Sequence, residues 1–72
     1  VGAAINNRVR ELRQAGDGMT QQDLAAAVGV SRQTIIAIER GRYSPSLEVA
    51  LKIAWTFGQP VETVFRLSDE PE

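Results

Sequence analysis

Helical periodicity runs along almost the whole chain, but glycine and proline cut it into short segments, and this punctuation constrains the fold most. No stretch alternates long enough to read as a sheet. A first helix is expected from about Asn7 to Ala15, capped by Asn6 or Asn7, with Val9 and Leu12 on one face; Gly16-Asp17-Gly18 breaks it. Thr20-Gln21-Gln22-Asp23 has the form of a capping box, so a second helix starts there and runs to Val28, burying Leu24, Ala25 and Val28. Gly29 stops it by supplying a left-handed residue. Ser31 caps a third helix, about Arg32 to Arg40, with Ile35 and Ile38 inward. Ser46 caps a fourth, about Leu47 to Phe57, closed by Gly58, and Pro60 opens a short fifth turn through Phe65. The expected fold is all-α, a bundle of five short helices.

With 72 residues there is room for one domain, assigned to residues 1–67, followed by an acidic, flexible tail at 68–72. Because the sequence starts at Val1 rather than Met, Val1-Gly2-Ala3-Ala4 is expected to be a trimmed terminus or a remnant. A chain this short buries only about 60% of its unfolded surface, so its fold is marginal without efficient packing or a partner. It has no cysteine to form a disulfide. Without cysteine or histidine it also lacks thiolate and imidazole metal ligands, and no metal or cofactor is expected. No apolar run approaches a membrane span and no signal peptide opens the chain, so no membrane partner and a cytoplasmic location are expected.

Catalysis finds little to work with. There is no histidine base, the carboxylates are scattered, and no phosphate-cradling glycine loop is present. An enzyme is not expected.

The net charge of −1 hides an asymmetry, because three of the nine acids, Asp69, Glu70 and Glu72, lie in the last four residues. Residues 1–67 carry eight basic groups against six acidic ones, and seven of the eight are arginine, suited to forked contacts with phosphate and base edges. Residues 21–40 read as one unit, two short helices joined by a tight turn. Ala25 is small at the close approach, Gly29 makes the turn, and Leu24, Val28, Val30, Ile35 and Ile38 fill the angle. This is the pattern of a helix-turn-helix, although a plain helical hairpin would share much of it.

The outward face of the third helix favours DNA. Ser31, Arg32, Gln33 and Thr34 crowd its N-terminus with donors and acceptors. Arginine pairs bidentately with guanine and glutamine with adenine. Ser31, Arg32, Gln33 and Ala37 are the candidate base readers, with Ala37 placed to touch a thymine methyl. Ile36 fits either that role or packing at the domain edge. Thr20, Gln21, Thr34, Arg40, Arg42 and Tyr43 are the candidate contacts to the DNA backbone.

The run Met19-Thr-Gln-Gln-Asp-Leu-Ala-Ala-Ala-Val-Gly-Val-Ser-Arg-Gln-Thr-Ile-Ile-Ala-Ile-Glu-Arg-Gly-Arg-Tyr-Ser-Pro-Ser-Leu-Glu-Val-Ala-Leu-Lys-Ile-Ala54 resembles the Xre-type, Cro- and phage-repressor-like DNA-binding domain. It is most similar to small stand-alone regulators of the enterococcal cytolysin-repressor type, and the likeness extends from Ile5 to Phe65. The resemblance implies the lambda-repressor-like fold, with a small antiparallel sheet joining the N-terminal and C-terminal segments, and a two-fold dimer. It implies that Gln21 contacts phosphate and braces Arg32 and Gln33, and that Arg13 pairs with Glu39. The turn Gly16-Asp17-Gly18 is longer here than in phage repressors.

The fourth helix is apolar over more than half its circumference, with only Glu48, Lys52 and Thr56 as a polar stripe. Such a helix is either central in the bundle or covered by another subunit. Trp55, Val64, Phe65 and Leu67 are the expected surface of a homodimer, unless the aromatics cap the monomer core. The combined expectation is a homodimeric transcriptional regulator whose recognition helix, residues 32–40, enters the major groove of a palindromic double-stranded operator. The competing expectation is a protein-interaction module, an antitoxin or co-regulator holding a toxin or polymerase.

Overall fold

The computed structural model describes residues 4–16 and 18–68. Residues 1–3, Asp17 and the acidic tail from residue 69 onward lie outside them, so the expectations placed on those residues find no counterpart here. The order is β1 (Ala4–Asn7), α1 (Val9–Ala15), α2 (Gln21–Val28), α3 (Arg32–Glu39), α4 (Leu47–Phe57), α5 (Val61–Val64) and β2 (Phe65–Ser68).

Three helices start as side-chain chemistry dictates. Thr20 Oγ1 accepts the Asp23 amide at 3.0 Å while the Asp23 carboxylate accepts the Thr20 amide at 3.0 Å, a closed capping box. The Thr20 amide, and then its hydroxyl, hold the Asp23 carboxyl below its ordinary value of 3.8. Ser31 and Ser46 accept the Thr34 and Val49 amides in the same way. Gly29 ends α2 at φ 77° and Gly58 ends α4 at φ 66°.

The ends of the chain depart from the helical reading. Asn7 is the last residue of β1 rather than the first of a helix, and Arg8 occupies the cap position of α1 without a side-chain cap bond. Asn7 still serves the helix from outside it. Its Oδ1 accepts the Val9 amide at 3.1 Å while its Nδ2 donates to the Ile38 carbonyl at 2.9 Å. The fifth helix stops at Val64, and Phe65, with φ −125° and ψ 135°, opens β2. The two strands pair antiparallel in the register Ala4↔Ser68, Ile5↔Leu67, Asn6↔Arg66 and Asn7↔Phe65. Four-residue strands carry too little alternation to register in sequence, and each is made by its partner from the far end of the chain.

The core is Val9, Leu24, Ala25, Val28, Ile35, Ile38, Ile53, Ala54 and Val64, with Leu12, Met19, Val30, Val49, Phe57, Val61 and Phe65 packed against it. Val64 is fully buried, and Phe65 half-buried against the core, so the expected four-residue dimer surface is corrected. Val64 spends its apolar area inside the monomer, while Trp55 and Leu67 stay exposed at 83% and 67%. Among the described residues no helix is long and apolar enough to cross a membrane.

Two substitutions separate packing from backbone conformation. Ile38→Ala opens a cavity where no side-chain surface is exposed and is expected to cost about 2–5 kcal/mol. At Gly29 an added Cβ meets nothing within 4 Å, so Gly29→Ala costs only the positive φ, about 1–2 kcal/mol. Denaturant unfolding at fixed protein concentration measures both.

Candidate nucleic-acid interface

Helices α2 and α3 meet at Gly29, where the Gly29 and Val30 amides both donate to the Ala25 carbonyl, at 2.9 and 3.0 Å. Ala25 is fully buried at this closure, and Ile35 and Ile38 anchor the inner face of α3. The opposite face is left outward. Arg32 and Gln33 are exposed in its first turn, one residue after Ser31. The Ser31 and Thr34 hydroxyls lie 2.9 Å apart, so they support each other at the tip of the helix. Ala37 and Ile36 are half-buried one turn further on.

Beyond α3, Arg40 is exposed at the helix end. The Gly41 amide donates to the Ile38 carbonyl at 3.0 Å and the Arg42 amide to the Ala37 carbonyl at 2.9 Å. These bonds fix the loop backbone while the side chains of Arg42 and Tyr43 stand in solvent. At the start of α2, Thr20 is exposed with its hydroxyl committed to the capping box. Gln21 is half-buried, and its Nε2 donates to Glu39 Oε1 at 3.1 Å. Its amide therefore reaches the last residue of α3, and among the described residues it makes no hydrogen bond to Arg32 or Gln33, which the resemblance implied it would brace. Glutamine reaches the neighbouring carboxylate because a buried charge offers a stronger acceptor than an exposed side chain.

That carboxylate is the centre of the arrangement. Arg13 Nε donates to Glu39 Oε2 at 2.7 Å and Arg13 Nη2 to Glu39 Oε1 at 3.2 Å, with the two side chains only 10% and 4% exposed. Arg13 Nη1 donates to the Met19 carbonyl at 2.9 Å, so one guanidinium ties α1 to the lead-in of α2 and to the last turn of α3. A carboxylate at a helix C-terminus opposes the helix dipole, and the forked arginine offsets that cost.

The same packing leaves an open concavity of about 730 Å³ between α1, α2 and α3. Four arginines line it, Arg10, Arg13, Arg32 and Arg40, with Glu39 as its carboxylate. Arg10 has no place in the sequence-based set. The available signal was its position three residues before Arg13, which puts both on one side of α1. Among the described residues no group of His, Cys, Asp and Glu could hold a metal ion.

A second surface feature lies on α4. Leu47, Leu51 and Trp55, at i, i+4 and i+8, form an exposed stripe, at 73%, 48% and 83%. The opposite side of α4 buries Ile53 and Ala54. The helix is therefore not central in the monomer, which resolves one of the two readings of its wide apolar arc. Lys52 and Glu48 pair at 3.0 Å beside the stripe.

The ion pair gives a sharp expectation. Glu39→Ala leaves Arg13 charged, buried and without its main partner, and is expected to destabilise by about 3–5 kcal/mol. Replacing both residues by leucine removes the unpaired charge and should recover most of that loss. A double-mutant cycle in denaturant reads the coupling.

Comparison with known proteins agrees with this geometry. The family model described as helix-turn-helix matches residues 9–68. An HTH-type transcriptional regulator of Methanocaldococcus jannaschii is 50% identical over 66 residues, covering 92% of this chain and 98% of its own length. A Bacillus subtilis HTH-type transcriptional regulator, YgzD, is also 50% identical over 66 residues, with the same coverage of 92% and 98%. Among solved structures, the restriction-modification controller protein C.AhdI from Aeromonas hydrophila superposes with a TM-score of 0.71 at 36% identity, covering 78% of this chain and 83% of that one. The chain belongs to the Xre-type helix-turn-helix family of DNA-binding transcriptional regulators.

Proposed function

We propose that the protein is a homodimer that binds a palindromic double-stranded operator, with α3 in the major groove. The observation that carries this reading is the exposed first turn of α3, held at its far end by a buried ion pair. Arg32 and Gln33 are the main base readers, Ser31 supplies a hydroxyl at the helix tip, and Ala37 offers a methyl to a thymine. Thr20, Gln21, Thr34, Arg40, Arg42 and Tyr43 position the helix by contacting sugar and phosphate. Regulation is steric, through occupancy of the operator.

The dimer rests on apolar surface the monomer leaves outside. Trp55 and Leu67 remain from the sequence-based set, and Leu47 and Leu51 continue Trp55 along α4. An i, i+4, i+8 ridge is self-complementary when two copies cross antiparallel, with Leu51 on the two-fold axis and Leu47 against Trp55 of the other copy. Contact of this kind is isologous and relieves the marginal stability of a small uncrosslinked domain. The two recognition helices then read half-sites roughly 34–36 Å apart.

Selection of bound duplexes from a random pool gives the operator. On it, Arg32→Ala and Gln33→Ala should each cost about 1–3 kcal/mol and relax preference at one position. Arg42→Ala should weaken all duplexes alike and lower the salt slope by about one. Wild-type affinity and site preference in both α3 mutants would remove α3 as the reader.

Sedimentation equilibrium at micromolar concentration tests assembly. The wild type should sediment as a dimer and Trp55→Glu as a folded monomer, since Trp55 contributes little to the core. A monomeric wild type that binds a half-site as well as the full palindrome contradicts the dimer and leaves the reading helix intact.

A further inference from the structure

We infer that α1 is a third DNA-contacting element, in which Arg10 closes a phosphodiester-binding groove across from Arg40. The inference rests on the DNA-binding reading and adds to it a side chain outside the two-helix motif.

Charge placement is the first ground. The chain as a whole carries −1, yet four of its eight basic residues line one concavity between α1, α2 and α3. Glu39, its carboxylate, is already satisfied by the forked Arg13 and by Gln21. Arg10, Arg32 and Arg40 form no ion pair among the described residues, whereas Arg8 is held by Glu11 at 3.3 Å and Lys52 by Glu48 at 3.0 Å. Three uncompensated guanidiniums therefore face one groove.

Helix geometry is the second ground. Arg32, Ile36 and Arg40 lie at i, i+4 and i+8, so they line one side of α3, the side turned toward α1. When Arg32 in the first turn of α3 reads base edges, the Arg40 end of this side faces one wall of the major groove, the sugar–phosphate strand. Arg10 and Gln14 on α1 form the opposite lip of the concavity. Arg13 cannot serve, because its guanidinium is spent on Glu39 and the Met19 carbonyl. The side chain three residues earlier is exposed and unspent. A phosphate on this strand is then gripped from α1 and α3 together, which fixes the depth and tilt of the recognition helix.

The test is fluorescence anisotropy with the selected operator and with a random duplex, at about 50 and 200 mM salt. Losing one phosphate contact flattens the salt slope by about 0.9, so the ratio of wild-type to Arg10→Ala affinity should fall about 3- to 4-fold between those concentrations. The loss at low salt should be the same on both duplexes, Arg10→Lys should restore most of the slope, and Arg66→Ala, outside the concavity, should keep it. The Arg10→Ala melting midpoint should match the wild type, since Arg10 has no ion pair to lose among the described residues. An unchanged slope in Arg10→Ala overturns the inference, as does an altered site preference at constant slope. Failure of the wild type to bind any duplex overturns the DNA reading itself, and is distinguished by that control.

Discussion

The Arg13–Glu39 pair is the interaction on which the rest depends. It is the place where α1, the lead-in to α2 and the last turn of α3 are joined by polar contacts as well as packing. A buried ion pair is a poor source of net stability, because desolvation offsets most of the Coulombic gain. Its value here is directional. A forked guanidinium donates to a carboxylate in few orientations, so α3 is fixed about its own axis and its outward face is specified. Hydrophobic contacts of Ile35 and Ile38 alone would hold α3 down without fixing its rotation as tightly. Gln21 adds a further bond to the same carboxylate and couples the start of α2 to this orientation.

From that pair the charge layout follows. Pairing Glu39 inside the domain leaves Arg10, Arg32 and Arg40 without an ion pair among the described residues around one concavity, although the chain is slightly acidic overall. Net charge is thus a poor guide to partners in so small a domain, since a few carboxylates outside the interface are enough to reverse its sign. The apolar stripe of α4 is a separate matter. It carries no charge toward DNA and lies on the side of the helix that the core does not use.

Much of this was legible in the sequence because it is written in local chemistry. Thr20 and Asp23, Ser31, Ser46, Gly29 and Gly58 act within a few residues of themselves, and the structure places each in the role its type suggests. The exposed turn from Ser31 to Gln33 was equally readable, since Ile35 and Ile38 fix which side of α3 faces inward. What the residues did not carry locally was non-local. β1 and β2 pair across nearly the whole chain, so neither four-residue segment carries its own signal; the sheet was expected only from the family resemblance, and Asn7 and Phe65 read as helix ends. Val64 belongs to the core because the sheet returns the chain to the start of α1, where the Arg8 amide donates to the Val64 carbonyl at 2.9 Å, which its apolar character could not reveal. Arg10 looked like any solvated arginine until α1 and α3 were seen to enclose one groove. Gln21 found Glu39, eighteen residues away, where only the folded chain offers the carboxylate.

The central claim is that α3 is a preset reading helix, oriented by Arg13–Glu39 before any DNA arrives. Side-chain NMR of arginine Nε groups, with and without a duplex recovered by selection, tests it most directly. The account predicts that the Arg13 Nε resonance is already slowly exchanging in the free protein and stays in place on binding, while Arg32 shifts strongly and the amides of Ser31 to Ala37 shift with it. A large change at Arg13 on binding, or shifts centred on α4 and the sheet with α3 unmoved, would contradict it.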